Sequence, residues 1–511
     1  MKTSTQVLSA LSMGALLYGC TTETVVNLFY GLNEQSGNVH IIRATPSQPL
    51  TTATDRFQFP ERFSSQGKLE KTQHFLKAAG TTGMVVTHQG DIVHEDYLEG
   101  YDQTSLFASW SVAKSYLSAL IGIAIREGDI ASVTDRVVDY VPELTHSPFA
   151  QVTIEQALEM GSGVTFDETY SSLNSDAARL LDGLKEDLLQ QVLSYQDVSY
   201  APGEFNAYSS LDSQVLGLVL NRATQMTTAA YAEKYLWQPA GMESNAQWLA
   251  DQNHQDGTFC CLNTTTRDLN RFGLIYLNNG YYNGQQIIPQ AWVEQSLNTD
   301  KPYLQSGENE LSRNTWGYGY HWWVPGFDND YAAVGVFNQY IYVMPDEQVV
   351  IAKHSAPGSY FINNRGTAHI DLFREIGKTL NRQYMNIINQ QDGACMTVDH
   401  GLLTSHSNVK HQQCDGSLSQ LWHYDVTTQQ LINRDGGCLD AGDTPQEGDK
   451  LRVTACTESP GQQFMLSGST IQPAADPDLK VDAYQQWIHG KAVGLWTNHG
   501  QSNQQWTFVP R

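Results

Sequence analysis

Positive charge is scarce in this 511-residue chain: 30 Lys and Arg stand against 54 Asp and Glu, a net charge of -24 at pH 7. A surface of that sign repels phosphate backbones, which excludes nucleic acid as a partner. Long apolar runs are missing after the first twenty residues, so the membrane is reachable only through a lipid anchor. Neither His-Glu-x-x-His nor a paired Cys-x-x-Cys occurs, and the sequence calls for no metal and no cofactor. Gly-x-Ser-x-Gly is absent too, which removes the strained nucleophile turn of the α/β-hydrolases. Cysteine is sparse, at positions 20, 260, 261, 395, 414, 438 and 456. Cys395, Cys414, Cys438 and Cys456 fall into two pairs separated by 19 and 18 residues, consistent with disulfides in an oxidising compartment. Cys260 and Cys261 are adjacent, either as buried thiols or as a vicinal disulfide.

Length predicts two or more domains, each able to bury a core. Residues 1–20 carry Lys2, an apolar core from Val7 to Leu17, and Leu17-Tyr18-Gly19-Cys20. That segment is too short to span a bilayer and reads as a secretion signal. Its end resembles a bacterial lipoprotein cleavage box, which implies lipidation of Cys20 and a cell-envelope lipoprotein; simple secretion is the alternative. Residues 21–75 mix polar and turn-forming residues and read as an extended lead-in.

The stretch Ser109-Trp110-Ser111-Val112-Ala113-Lys114-Ser115 opens a helix apolar on every side, with a stop signal at Gly128. A helix of that pattern is buried. A serine in its first turn lies near unpaired N–H groups that favour negative charge. Lys114 falls one turn on along the same face, within reach of the Ser111 hydroxyl. To act as a base near neutrality the lysine must lose about 3 pH units from its reference value, roughly 4 kcal/mol, which burial can supply. Ser-x-x-Lys also occurs at Ser65–Lys68 and Ser407–Lys410, but in polar stretches with no apolar helix behind them. Taken alone, Ser111 is as readily a helix cap as a nucleophile.

Upstream, the β-rich runs around Gln89-Gly90-Asp91 predict a hairpin. Downstream, Val152–Met160 predicts a short amphipathic helix broken by Gly161, and the loop Pro202–Ser210 leads into a helix over Leu211–Ala223. Strands bracketing helical insertions suggest an antiparallel sheet covered by helices, an α+β architecture. A tyrosine on that loop, Tyr208, is by default a packed, hydrogen-bonded ring. Beside a serine and a lysine its hydroxyl can relay a proton.

From about residue 25 to 385 the chain resembles the serine β-lactamase and penicillin-binding superfamily, in its esterase and 6-aminohexanoate-dimer hydrolase branch. The residues that carry the resemblance are the Ser111–Ile130 segment, Asp139-Tyr-Val-Pro-Glu-Leu, Pro202-Gly with Tyr208-Ser-Ser, Thr264–Leu277 and Gly317-Tyr-Gly-Tyr-His-Trp-Trp. The resemblance implies a β-lactamase-like hydrolase domain over 76–385, in which Ser111 attacks an acyl carbon, Lys114 takes its proton and Tyr208 shuttles protons through an acyl-enzyme cycle. It places Tyr170 where amide-cleaving members carry a second tyrosine. The chain departs from the β-lactamase pattern in having Ser210 where many members have asparagine. It also lacks the cation of the Lys-Thr-Gly strand, whose nearest counterpart is Tyr331–Pro345. Esters or small amides are therefore expected rather than β-lactams. One oxyanion N–H is expected from Ser111, the other from that strand edge, where Gly335 and Val336 are nearest; each such donor is typically worth about 3 kcal/mol.

Past Arg382 the texture becomes rich in Gln, Asp, Gly and Trp. Gln420-x-Trp422, Gln462-x-Phe464 and Gln504-x-Trp506 recur every 42 residues, and Cys414, Cys456 and Asn498 keep the same step. Three units too small for separate cores predict one threefold body. Residues 391–511 resemble the ricin-type β-trefoil lectin and carbohydrate-binding module. Its sugar sites use an aspartate and a stacking ring, which the third repeat keeps as Asp482 and Trp496, with Gln504 nearby. The second has Asp440 but Thr454 at the ring position. The expected protein is a serine hydrolase for an acyl ester or amide joined to a glycan-binding trefoil. A penicillin-recognising enzyme, and an adhesin on an inert hydrolase scaffold, are the rival readings.

Overall fold

The computed structural model describes residues 38–45, 49–307, 310–312, 314–326, 328–356, 366–399, 407–484 and 492–511. The expected signal segment and Cys20 lie outside them. Two units are present: one takes the described residues up to Asp55 with Ala79–Asn364, the other Arg56–Ala78 with Arg365–Arg511. No helix among the described residues is long and apolar enough to cross a membrane.

The first unit is built on a seven-stranded sheet of β1 (Thr81–His88), β2 (Asp91–Tyr97), β3 (Gly317–Tyr318), β4 (Trp323–Val324), β5 (Tyr331–Gly335), β6 (Gln339–Met344) and β7 (Val349–Ser355). Neighbours run β3-β4-β5-β6-β7-β1-β2, and every pairing is antiparallel. The turn between β1 and β2 places Gln89 and Gly90 at φ 52° and 91°, the left-handed pair that a two-residue hairpin requires. Strands β6 and β7 are buried at every position, so their sequence does not alternate, and the polar Gln339, Lys353, His354 and Ser355 gather at one end.

Helices α1 (Val112–Glu127), α2 (Ser210–Thr224) and α3 (Thr266–Leu277) fill the rest of this core. On α3, Gly273 approaches the sheet so closely that a Cβ would lie 2.5 Å from Val350. The Asn270 amide beside it donates to the carbonyls of Val85 and Val350 at 3.2 and 3.0 Å, pinning helix to sheet. Every residue of α1 from Val112 to Ala124 is buried, Lys114, Ser115 and Ser118 among them, as apolar residues on every side of the helix lead one to expect. The helix ends at Gly128, whose φ of 84° turns its N–H back to the Ile125 carbonyl at 3.2 Å. A smaller sheet of Asn38–Ile42, Ala246–Ala250, Leu262–Thr264 and Phe107–Ala108 delivers the chain to the start of α1.

The second unit is all-β at its centre. Its strand Met385–Asn389 pairs with the last strand, Trp506–Pro510. Trp422, Phe464 and Trp506 share one buried core. The repeated glutamines make the same pair of bonds each time: Gln420 accepts from Asp415 N and donates to Gln413 O, Gln462 uses Thr457 N and Ala455 O, and Gln504 uses His499 N and Thr497 O. The 42-residue period is thus a repeated loop clamp around a shared apolar centre. Disulfides Cys395–Cys414 and Cys438–Cys456 close the first two repeats.

This unit also takes in residues that the sequence assigns elsewhere. The hairpin Arg62–Ser65 with Lys68–Lys71 and the helix Thr72–Ala78 come from the expected lead-in, and the helix Gly366–Asn381 from the expected hydrolase region. Arg62 N donates to Asp435 O at 2.8 Å, Cys456 N donates to Ser64 Oγ at 2.8 Å, and the Arg434 guanidinium lies 4.9 Å over the Phe57 ring. Polar composition made these residues look like wrapping; they cluster with the trefoil residues and bond to them through Arg62 N and Ser64 Oγ. Gly436, at φ 99°, lies where a Cβ would come within 1.9 Å of Arg62 O. Gly436→Ala should therefore cost roughly 3 kcal/mol. Urea unfolding followed by the trefoil tryptophans should show that loss.

Candidate active site

Phe107–Ala108 pairs with Leu262–Thr264, and Ser109 N bonds Leu262 O at 2.9 Å, fixing the approach to the helix. Trp110 then adopts φ 51°, a left-handed conformation that a tryptophan takes only when its surroundings hold it. Its ring meets Phe337 edge-on at 5.1 Å. Ser111 follows as the N-cap of α1, with Val112 N, Ala113 N and Lys114 N bonding back to Ser109, Trp110 and Ser111 carbonyls in a tight first turn.

Lys114 is 1 % exposed. Its Nζ donates to Ser111 Oγ at 2.9 Å, to Ser210 Oγ at 3.2 Å and to the Phe259 carbonyl at 2.5 Å. Burial lowers its pKa from 10.5 to about 8, against the opposing pull of the Glu168 carboxylate. Partial neutrality is therefore attainable at ordinary pH, and a neutral amine at 2.9 Å can accept the Ser111 proton.

The Lys114 ammonium lies 5.1 Å from the centroid of the Tyr208 ring, so the tyrosine meets it through a π face. Tyr208 is held by its loop: Asn206 Nδ2 donates to Glu159 O at 2.6 Å, and Ala207 N bonds Met160 O at 3.0 Å. Trp323 stacks on it at 5.4 Å. Tyr170 lines the same cavity as Ser111 and donates its hydroxyl to Glu168 Oε1. Gly335 ends β5 close against the chain before α1, its would-be Cβ 2.5 Å from Ser109 O, and Val336 lines the cavity. Lys353, which burial pulls down to about 7, supports the following turn by donating to Asn338 O at 3.2 Å.

A small cavity lies between Trp110, Tyr170, Leu181, Phe259, Val336 and Phe337, with Ser111 and Ser210 at its polar side; none of its lining residues is charged. Cys260, bonded to Cys261, forms part of its wall. Sequence reasoning missed Glu168, Ser210 and the Phe259 carbonyl. Ser210 is the last residue of Tyr208-Ser-Ser and could have been read from the motif. Glu168 lies in a loop with no periodicity, and a backbone carbonyl leaves no trace in sequence.

In the second unit, Asp482 is 3 % exposed, accepting from Asn503 Nδ2 at 2.8 Å and facing His499 Nε2 at 3.2 Å. Trp496 is half-buried on the paired strand. Gln504 bonds backbone through both ends of its amide and also bonds the Asp482 carboxylate. In the second repeat Thr454 Oγ1 donates to Asp440 Oδ2 at 2.7 Å, so the residue at the ring position covers the carboxylate.

Among the described residues no group of His, Cys, Asp and Glu could hold a metal ion. Residues 70–357, more than half of the chain, match the family model described as Beta-lactamase. The chain belongs to the beta-lactamase family. Residues 383–506 match the model of the ricin-type beta-trefoil lectin domain. The chain is 25 % identical over 327 residues to the 6-aminohexanoate-dimer hydrolase of Paenarthrobacter ureafaciens, covering 61 % of this chain and 80 % of that protein. It is 22 % identical over 287 residues to an uncharacterised protein of Alkalihalophilus pseudofirmus, covering 53 % and 78 %. A Bacillus anthracis structure titled as a candidate 6-aminohexanoate-dimer hydrolase shares its fold with a TM-score of 0.61 at 23 % identity, covering 69 % of this chain and 94 % of that one. The beta-lactamase-family domain is of the serine hydrolase class, and the disulfides and lectin-type domain are consistent with an extracellular location.

A base that works only when neutral fixes the sign of the pH response. With Lys114 near 8, kcat/KM for an uncharged ester should climb as pH rises through about 8 and then level. Lys114→Ala should flatten that climb and lower the plateau by ~100-fold or more. Stopped assays from pH 6 to 10 measure both.

Proposed function

We propose that the chain cleaves a carboxylic ester or a small amide through an acyl-enzyme on Ser111, with Lys114 as general base, and holds a glycan through its trefoil. The observation that carries this reading is the buried Lys114 Nζ at 2.9 Å from Ser111 Oγ. Ser111 gives its proton to neutral Lys114 and attacks the acyl carbon; water later releases the acyl group by the reverse route. The Ser111 N–H at the mouth of α1 and an N–H from the Gly335–Val336 edge are the proposed oxyanion donors, and Tyr208 steadies the ammonium through its ring. An uncharged, aromatic-walled cavity favours a neutral acyl group over a β-lactam carboxylate.

Wild-type protein should hydrolyse p-nitrophenyl acetate steadily, and Ser111→Ala should lower kcat by ~1000-fold or more. Hydrolysis that survives the substitution defeats the assignment. A fluorophosphonate probe should label Ser111; glycan binding without labelling would favour the adhesin reading.

Anchoring to the cell envelope through Cys20 is part of the proposal, and mass spectrometry of the mature N-terminus decides between it and free secretion. For the trefoil, the third repeat is the proposed sugar site, because it combines a buried, oriented Asp482 with a half-buried Trp496. Trp496→Ala and Asp482→Ala should each weaken glycan binding by about tenfold or more. Asp440→Ala should change it less, since the second repeat has Thr454 where a stacking ring would stand. Glycan-array titration of the three variants compares them.

A further inference from the structure

The turn that follows β5 is held in a conformation that its residues do not take unaided. Gly335 pairs with Gln339 across β5 and β6, so Val336, Phe337 and Asn338 form the loop between them. Phe337 and Asn338 both take φ 65°, in the left-handed region that such side chains enter only when their surroundings hold them there. Val336 and Phe337 line the cavity with Ser111, and the Phe337 ring packs on Trp110 at 5.1 Å.

The groups that hold the loop lie mainly on β6 and β7. Asn338 O accepts from Lys353 Nζ at 3.2 Å and from Ser355 Oγ at 3.2 Å, and Lys353 Nζ also donates to Ser355 Oγ. Gln339 Nε2 donates to Phe337 O at 3.0 Å and to Ser355 O at 2.9 Å, while its Oε1 accepts Ser355 N at 3.0 Å. Asn338 Nδ2 ties the loop to Ala79 O at 3.2 Å. The carbonyls of Phe337 and Asn338 are thus both bonded by side chains of β6 and β7, and neither Lys353 nor Ser355 lines the cavity.

Lys353 is wholly buried, and burial is the one influence on its pKa; among the described residues no carboxylate pairs with it. An amine so placed costs stability, and an apolar chain of similar length would fill the space without that cost. What the amine supplies is donors: charged or neutral, it carries the two N–H groups that Asn338 O and Ser355 Oγ use. His354 beside it, lowered to about 3 by burial and by the Lys353 charge, brings no second cation.

We propose that Lys353 is a positioning residue for the oxyanion hole: its grip on Asn338 O sets the loop so that the N–H at the Gly335–Val336 edge meets the acyl oxygen. The inference rests on the serine hydrolase reading. As the Ser111 Oγ–carbon bond forms and the Ser111 proton passes to Lys114, the carbonyl electron pair moves onto that oxygen. The charge gathers where the loop has to present its donor. Lys353 acts through the loop and touches neither substrate nor Ser111.

The test compares full-length wild-type protein with Lys353→Met, Ser355→Ala and Ser111→Ala. The substrate is p-nitrophenyl acetate, and the inhibitor is trifluoroacetone, whose carbonyl carbon takes up the Ser111 oxygen and leaves a charged oxygen in the hole. Lys353→Met should lower kcat/KM by ~30-fold at every pH from 6 to 10 and weaken trifluoroacetone by the same factor. The pH midpoint set by Lys114 should not move, and the melting temperature should hold or rise, because a buried amine has given way to an apolar chain. Ser355→Ala, which leaves the direct bond from Lys353 to Asn338 O, should cost under about fivefold. Four results for Lys353→Met would each overturn the positioning role and leave the hydrolase reading intact: kcat/KM within about twofold of wild type, unchanged trifluoroacetone affinity, a moved midpoint, or a lowered melting temperature. A larger loss in Ser355→Ala than in Lys353→Met would do the same. Hydrolysis that persists in Ser111→Ala would remove the hydrolase reading, and the role of Lys353 with it.

Discussion

The whole of the first unit is arranged around an amine that has been taken out of water. Removing Lys114 from solvent disfavours its charge, and compensation comes from two serine hydroxyls, one carbonyl, the face of a tyrosine and a nearby carboxylate. Those partners come from well-separated parts of the chain, around residues 111, 168, 208–210 and 259. The α1 helix must be apolar throughout to make the site dry, α2 must begin at Ser210 to present its hydroxyl, and the Phe259 carbonyl must be delivered by the chain leading into Leu262–Thr264. Loss of any one partner leaves a buried cation poorly satisfied, which is costly.

Much of this was legible before any coordinates. The apolar circumference of α1 announced burial, the 3.6-residue period put Lys114 on the Ser111 face, and the 42-residue period announced a threefold body. These signals are strong because they are repeated along many residues, so no single substitution erases them. Glu168 was not legible: a single acidic residue in an irregular loop has no pattern, and its importance comes from two bonds to residues on other elements. The same is true of Thr454, whose hydroxyl covers Asp440.

The repeated glutamines show how a family signature can be structural rather than functional. Each of Gln420, Gln462 and Gln504 bonds one N–H five residues before it and one carbonyl seven residues before it, and Gln462 adds bonds to Asp440 and Thr454. Spacing is conserved between the repeats because the loop geometry demands it. The variable positions around Asp440 and Asp482 are where the repeats differ chemically, and those differences are what a ligand would read.

Residues 56–78 and 365–511 form one folded body although the hydrolase unit is spelled out between them. A ribosome making this chain therefore commits the first hairpin of the trefoil unit long before that unit's remaining strands exist. Cutting the gene at the visible change of texture near residue 385 would strand Arg62 and Ser64 from the backbone groups they pair with, and would leave the Gly436 turn facing solvent. Fragments meant to fold alone therefore have to keep residues 56–78 and 366–381 with the residues they cluster with.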